Sequence, residues 1–256
     1  MRILLAGPIL WAAAWAEAAP VEIRIVYDNT AAERSLRADW GFAAVVDAPG
    51  SRILFDAGAD GSILLRNLSE MEVDPASITH AVISHRHPDH RNGLFTLALK
   101  NRSMKVFFLD SFPEELYRLA AAVALEPVRV RQPVEIVPRV HSTGLVPGEP
   151  DEQALVVEVA DGLVVLTGCA HPGIASMVEA ALRHRGARRV RLLAGGFHLI
   201  RQSDDLIRQA IERLRELGVE RVAPGHCTGE RAIQLFRQAF GPRFQPLGAG
   251  RRLLVD

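Results

Sequence analysis

Apolar and polar positions fall along this chain in two rhythms. The stretch 21–27 (VEIRIVY) reads as a strand, and 43–47 and 52–55 as two more, joined by a turn at Pro49-Gly50. A helical spacing follows: Asp60 is placed to cap a helix over 62–71, with Ile63, Leu64 and Leu68 on one side. Residues 78–84 (ITHAVIS) return to strand and deliver the chain into HRHPDH. Residues 105–109 form a short apolar strand. Ser111 is placed to cap the next helix, with Pro113 in its first turn and Leu116, Leu119, Ala120 and Val123 as its inner stripe.

Segments 154–159 and 163–166 flank Asp161-Gly162 as a hairpin. Ile174, Met177, Val178, Ala181 and Leu182 space a helix over 174–185, closed by Gly186. After a strand at 190–193, Ser203 caps an amphipathic helix with Leu206, Ile207, Ala210, Ile211, Leu214 and Leu217 inward and Gly218 at its end. Residues 220–223 make a last inner strand leading to Pro224-Gly225-His226. The early chain is rich in strands and hairpins, and the later chain alternates strand and helix. No linker or repeat interrupts it. These elements predict one α/β domain with sheets inside and helices outside.

The start of the chain changes the domain count. Met1-Arg2 is followed by an uncharged apolar run from Ile3 to Trp15, and Ala16-Glu17-Ala18 supplies the small residues of a cleavage site. Residues 1–19 therefore read as a signal peptide, too short to span a bilayer comfortably, and 20–256 as the folded domain. The alternatives are an uncleaved anchor or a buried first strand. An exported, periplasmic or secreted protein with no stable membrane insertion is the expectation. Thirty basic residues balance thirty acidic ones, so no field or basic stripe favours nucleic acid, and a small-molecule substrate is the expected partner. Oligomeric state leaves no readable signal.

The candidate chemistry is histidine. His85, His87, His90, His171 and His226 all fall just past the ends of predicted strands, and His198 makes a sixth. Strand ends on one rim of a sheet are where sites assemble. His85 and His87, two apart in an extended segment, point the same way and can share an ion. Pro88 breaks the strand, leaving Asp89 and His90 placed for a second ion. Imidazoles with a carboxylate suit zinc, with iron or manganese as alternatives. His80 and His184 read as structural or surface residues.

At these residues the chain resembles the metallo-β-lactamase superfamily, whose His-x-His-x-Asp-His signature is present as His85, His87, Asp89 and His90. Phe55-Asp56-Ala57-Gly58 resembles the element before it. Asn92-Gly93-Leu94 resembles the stretch after it, with Asn92 where Gly is more usual. Tyr27-Asp28-Asn29, Thr167-Gly168-Cys169-Ala170-His171-Pro172-Gly173, Gly195-Gly196-Phe197-His198-Leu199 and Pro224-Gly225-His226-Cys227-Thr228-Gly229 resemble one branch, which contains proteins named for dihydropterin–ribofuranosylaminobenzene phosphate synthase.

The resemblance implies a four-layer αββα sandwich with two divalent metal ions at one edge. His85, His87 and His171 would serve one ion, and Asp89, His90 and His226 the other. The chain departs from the wider family at Cys169, where many members carry a bridging aspartate. It departs again at His171, which follows later than the expected third histidine. His141 is the earlier candidate; His171 is preferred for its richer flanking motif, leaving His141 as a surface-loop histidine. Cys169 is open to three readings: metal ligand or a group supporting a ligand, inert packing, or a disulfide with Cys227. Asp56 is placed to orient a ligating histidine. His198 is placed to contact substrate, donate a proton or touch a metal.

Two such ions would supply an acidified water whose hydroxide attacks an ester, lactone, phosphodiester or amide, with Asp89 placed to orient it. No Gly-x-Ser-x-Gly nucleophile motif is present. The alternatives are a metal- or ligand-binding module with little turnover, a pterin-pathway synthase-like enzyme, and redox chemistry at iron. The loops 28–41 and 141–153 are expected to form pocket walls. Trp40 and Phe197 are each open to pocket or core.

Overall fold

Strands whose side chains are apolar on both faces need cover on both faces, and that requirement organises this molecule. The computed structural model describes residues 20–48 and 50–256. The expected signal peptide, residues 1–19, lies outside the described residues, as does Pro49 of the expected turn. The first strands are β1 (Val21–Tyr27), β2 (Ala43–Ala48), β3 (Ser51–Phe55), β4 (His80–Val82), β5 (Lys105–Leu109) and β6 (Glu126–Val130). Then come β7 (Val134–Val137), β8 (Val140–Ser142), β9 (Leu155–Val159), β10 (Gly162–Thr167), β11 (Val190–Gly196), β12 (Val222–Gly225) and β13 (Arg252–Val255). The helices are α1 (Gly61–Glu70), α2 (Pro88–Ala98), α3 (Glu114–Ala122), α4 (Ile174–Arg185), α5 (Asp204–Glu216) and α6 (Glu230–Phe240).

The strands form a seven-stranded sheet, order β13-β1-β2-β3-β4-β5-β6, and a six-stranded sheet, order β12-β11-β10-β9-β8-β7. β3 through β6 run parallel, as do β10 through β12; the remaining pairs are antiparallel. Alternation along β10 shows the layering. Val164 and Leu166 face the core shared with the first sheet, while Leu163 and Val165 face the core under α4, α5 and α6. α1 and α2 pack together, α1 touches β1 and α3 touches β6. The result is the expected four-layer αββα sandwich in a single domain. No helix among the described residues is long and apolar enough to cross a membrane.

Local chemistry sets the element ends. Asp60 caps α1 by accepting from the backbone N–H of Ser62 at 2.7 Å and of Ile63 at 3.4 Å. Ser203 caps α5, and Gly186 closes α4 at φ 62°. The cap at Ser111 is not found. α3 starts after Pro113, and Leu119 is 46 % exposed, because the inward stripe of α3 is Leu116, Tyr117 and Ala120. Leu206 likewise points outward. The strand over 78–84 is cut to three paired residues; Thr79 and Ile83 still donate to the Arg52 and Phe107 carbonyls, and the backbone N–H of Ser84 leaves the sheet to donate to Asp56.

The chain after His87 is not a bare turn but helix α2, with Pro88 at its first position. Its buried positions are His90, Gly93, Leu94, Leu97 and Ala98, a helical stripe that opens with a histidine and a glycine. Gly93 is required there: a Cβ would lie 1.9 Å from the Ala57 carbonyl oxygen. α2 therefore packs its first turn directly onto the Asp56–Gly58 bend.

Candidate metal centre

All the strands that matter end at one rim. β1 leads into Asp28 and Asn29, β3 into Asp56, β4 into Ser84 and His85, β10 into Cys169, β11 into His198 and β12 into His226. The cleft between the carboxyl ends of the two sheets collects them. Three imidazoles form a near-equilateral triangle. Ring centroids lie 4.7 Å apart for His85–His87, 4.7 Å for His85–His171 and 4.8 Å for His87–His171. Beside them stand Asp89, His90 and His226. Asp89 Oδ2 is 3.5 Å from His90 Nε2 and 3.4 Å from His226 Nε2, and those two nitrogens are 3.1 Å apart. Cys169 Sγ is 3.3 Å from His90 Nε2.

These rings are held from behind. His90 Nδ1 donates to Asp56 Oδ2 at 2.7 Å. The other arm of the relay runs from His85 Nδ1 to Ser84 Oγ at 2.9 Å and from Ser84 Oγ to Asp56 Oδ2 at 2.8 Å. Asp56 Oδ1 also accepts from the Ser84 backbone at 2.7 Å, and the whole group is buried. His226 Nδ1 donates to Asn29 Oδ1 at 3.0 Å, and its backbone N–H donates to Asp28 Oδ1 at 2.9 Å. The ring contacts hold a proton on Nδ1 of His85, His90 and His226 and turn each Nε2 toward the cleft.

Glu152, fully buried, carries the loop bearing Cys169 and His171. Its Oε1 accepts from the backbone of Gly168 at 3.0 Å and of Cys169 and Ala170 at 2.9 Å, and its Oε2 from His171 at 2.9 Å. Neither Glu152 nor Ser84 was marked by the sequence. A single glutamate in a loop and a serine beside a histidine carry no spacing to read.

Backbone strain concentrates here. Asp56, Ala170, His198 and His226 take φ values of 59°, 62°, 52° and 48°, in the left-handed region that non-glycine residues avoid. Gly168 lets the loop press onto the relay, since a Cβ would lie 2.1 Å from Ser84 Oγ.

The electrostatics separate the two sets. Burial drives His85 well below its ordinary value, lowers His87, and takes His171 down to about 3 with help from His198. All three rings are therefore neutral with lone pairs available. At His90 burial is overcome by the Asp56 carboxylate, which pushes the imidazolium up to about 10. Burial opposes ionisation of Asp89, but hydrogen bonds from His226 and His90 hold it far below the carboxylate range. A hydrogen bond to Cys227 raises His198.

Divalent ions fit this donor set. Nε2 of His85 and of His171 are buried with no hydrogen-bond partner, an arrangement that costs free energy unless something binds there. The donor atoms of His85, His87 and His171 lie within 4.8 Å of one another, as do those of Asp89, His90 and His226. The structure thus brings together His85, His87, Asp89, His90, His171 and His226, with Asp56 behind them, His198 at the edge, and buried Cys169 between the two sets, its Sγ within 4.8 Å of the donor atoms of both His85 and His90.

His141 stands apart. It is not a surface-loop residue but a buried member of β8, with Nε2 2.7 Å from Glu158 Oε1. The expected pocket wall at 141–153 accordingly begins inside a sheet. Cys169 and Cys227 are free, buried thiols. Phe197 belongs to the core, whereas Trp40 is 49 % exposed with its ring 4.9 Å from His226.

Comparison with known proteins places this geometry. A family model described as "Metallo-beta-lactamase superfamily" matches residues 39–226. The chain is 29 % identical over 244 residues to the 7,8-dihydropterin-6-methyl-4-(beta-D-ribofuranosyl)-aminobenzene-5'-phosphate synthase of Methanocaldococcus jannaschii, covering 78 % of this chain and 83 % of that protein. Among solved structures it resembles Tm1679, a metal-dependent hydrolase of the beta-lactamase superfamily, with TM-score 0.76 and 28 % identity over 92 % of this chain and all of that one. It shares the fold of YhfI from Bacillus subtilis at TM-score 0.70 and 12 % identity, over 91 % of this chain and 99 % of that one.

Proposed function

The chain belongs to the metallo-beta-lactamase superfamily, and from that premise we propose that it is a hydrolase working with two divalent ions, zinc by preference. His85, His87 and His171 would hold one ion and Asp89, His90 and His226 the other. The observation that carries this reading is the pair of buried, unpartnered Nε2 atoms of His85 and His171 facing the same cleft.

Bound ions of this kind supply electrophilic pull and a water acidic enough to ionise near neutral pH. The residues do the rest. Asp56 keeps the lone pairs of His85 and His90 aimed into the cleft, and Asn29 does the same for His226. The Asp89 carboxylate, ionised throughout the physiological range, accepts a hydrogen bond from the attacking water and orients it. His198 stands exposed at the mouth, its ring 4.2 Å from that of His171, placed to pass a proton to the leaving group. A cleft of about 550 Å³ lined by Arg86, His87, Arg91 and Leu116 opens on one side of the centre. A second, of about 430 Å³, lined by Trp40, Ile200 and His226, opens on the other. Small esters, lactones, amides and phosphodiesters are the substrates such clefts admit.

Likeness to the dihydropterin synthase favours a second reading, a synthase-like reaction on a pterin-bearing phosphate. The apolar start of the chain supports export to the periplasm or medium, tested by N-terminal sequencing of the recovered protein. The function itself is tested by elemental analysis with excess zinc. Wild-type protein should hold at least two ions and hydrolyse bis(4-nitrophenyl) phosphate or a lactone, and His87→Ala should hold fewer and lose turnover. Less than one ion in wild type, unchanged in the variant, overturns the reading in favour of a ligand-binding module.

A further inference from the structure

A further group of donors borders the centre: it shares Cys169, whose Sγ also groups with the donor atoms of His85 and His90, and adds two side chains that neither ion set uses. Cys169 Sγ, Cys227 Sγ and a ring nitrogen of His198 lie within 4.8 Å of one another. Three parallel strands, β10, β11 and β12, each contribute one donor just past their ends. The approach is built in: Gly196 has no side chain where a Cβ would lie 2.7 Å from Cys227 Sγ. Left-handed backbone at Ala170, His198 and His226, each at or beside a donor, turns the three toward one another. The mechanism above leaves Cys227 without a role, although it is buried, reduced and 3.5 Å from the Cys169 carbonyl oxygen.

We propose that Cys169, Cys227 and His198 form a third metal site, selective for a thiophilic ion such as zinc. Tetrahedral zinc with sulfur at about 2.3 Å and nitrogen at about 2.0–2.1 Å spaces its donors roughly 3.4–3.8 Å apart. Three atoms already within 4.8 Å need only small rotamer shifts to meet that spacing. Two thiol protons leave to solvent as the ion enters. Both cysteines are buried and His198 is exposed, so the fourth position faces solvent. Two thiolates favour zinc, cobalt or copper(I) over magnesium or manganese. An ion here occupies a ring nitrogen of His198 and withdraws it from the proton transfer proposed above, so the site is inhibitory.

The test is cobalt binding to the full chain in excess metal, without oxygen and with a phosphine reductant. Wild-type protein should hold three ions, with sulfur-to-cobalt charge-transfer absorption in the near ultraviolet. Cys227→Ser and His198→Ala should each hold two, and Cys227→Ser should lose part of that absorption, with circular dichroism unchanged. Wild-type count and absorption retained in both variants overturns the proposal, as does a wild-type count of two with both thiols titrating as free. The outcomes separate from those above. Loss of an ion in His87→Ala alone keeps the hydrolase and removes this site, whereas loss in Cys227→Ser alone does the reverse.

Discussion

Asp56 touches both histidine sets, His90 directly and His85 through Ser84, and Asp56→Asn exposes what depends on it. An asparagine can keep one bond, its Oδ1 accepting from the Ser84 backbone N–H. The amide nitrogen then replaces the oxygen that accepts from His90 Nδ1 at 2.7 Å and from Ser84 Oγ at 2.8 Å. For His90 to offer Nε2 to an ion it must carry its proton on Nδ1, so two donors would face each other in a fully buried space. His90 must change tautomer or turn away, and the Ser84 relay to His85 fails with it. Loss of such a supporting contact typically weakens metal affinity 10–100-fold, or about 1.4–2.7 kcal/mol.

Ser84→Ala cuts only the arm to His85, so it should weaken one ion and spare the other. Competition against a chromophoric chelator measures both affinities, and thermal unfolding of the metal-free chains separates folding loss from binding loss. A folded Asp56→Asn protein that binds both ions with wild-type affinity refutes the orienting role.

Protonation gives an independent expectation. His90, raised to about 10 beside Asp56, stabilises the folded metal-free chain fully below about pH 6.5. That contribution is lost as pH rises through about 10. An ion at Asp89, His90 and His226 must displace this proton, so its affinity should rise about tenfold per pH unit below 10. The His85, His87 and His171 set should release none at pH 8. Calorimetry in two buffers of different ionisation heat counts the protons, and none released by either ion sinks the idea. Glu152→Gln should cost about 1–3 kcal/mol of stability and weaken zinc retention, because an amide NH₂ cannot accept the N–H bonds that one carboxylate oxygen now takes. Denaturant midpoints with chelator titration read both, and wild-type values would remove Glu152 from the account. Trp40 is the one tryptophan beyond residue 19, and its ring lies 4.9 Å from His226. Cobalt loading should therefore quench its fluorescence, and Trp40→Phe should abolish the signal without changing the ion count. Unquenched emission at full loading would contradict the geometry.

What the sequence made legible were the features that repeat or cluster. Periodic strands, capped helices and the dense HRHPDH motif located the rim, and the family signature supplied the sandwich. The later histidines were legible as strand-end residues, His171 included, even though His141 competed with it on order alone. Helix α2 escaped because its stripe begins with His90 and Gly93, a polar ring and a residue with no side chain, so no apolar periodicity marks its first turns. β6 carries Pro127 and lies at a sheet edge, and β7 and β8 are three or four residues long, so none sustains a pattern. The orienting residues Ser84, Asn29 and Glu152 act across 16 to 197 positions of sequence in part through backbone groups, and a linear string does not encode such pairings locally. His198 and Cys227 were visible as residues, but their closeness to Cys169 follows only from three strands lying side by side.

The register that joins Val21 to Val255 has a consequence in time. β1 and β13 are neighbours although 234 positions separate those two residues (255 minus 21), so that edge of the first sheet stays open until residues 252–255 have been made. At a synthesis rate of about 5–20 residues per second, the wait is roughly 12–47 s. Throughout that interval the edge of β1 away from β2 offers unpaired backbone to any other strand, and for the first part of it the HRHPDH segment waits for His226, 136 positions after His90. An ion captured early would sit on a partial set and exchange freely. The last donor of the centre, His226, thus precedes β13, and a chain that ends between residues 226 and 252 carries the whole donor set on a sheet whose open edge is free to pair with its own copies.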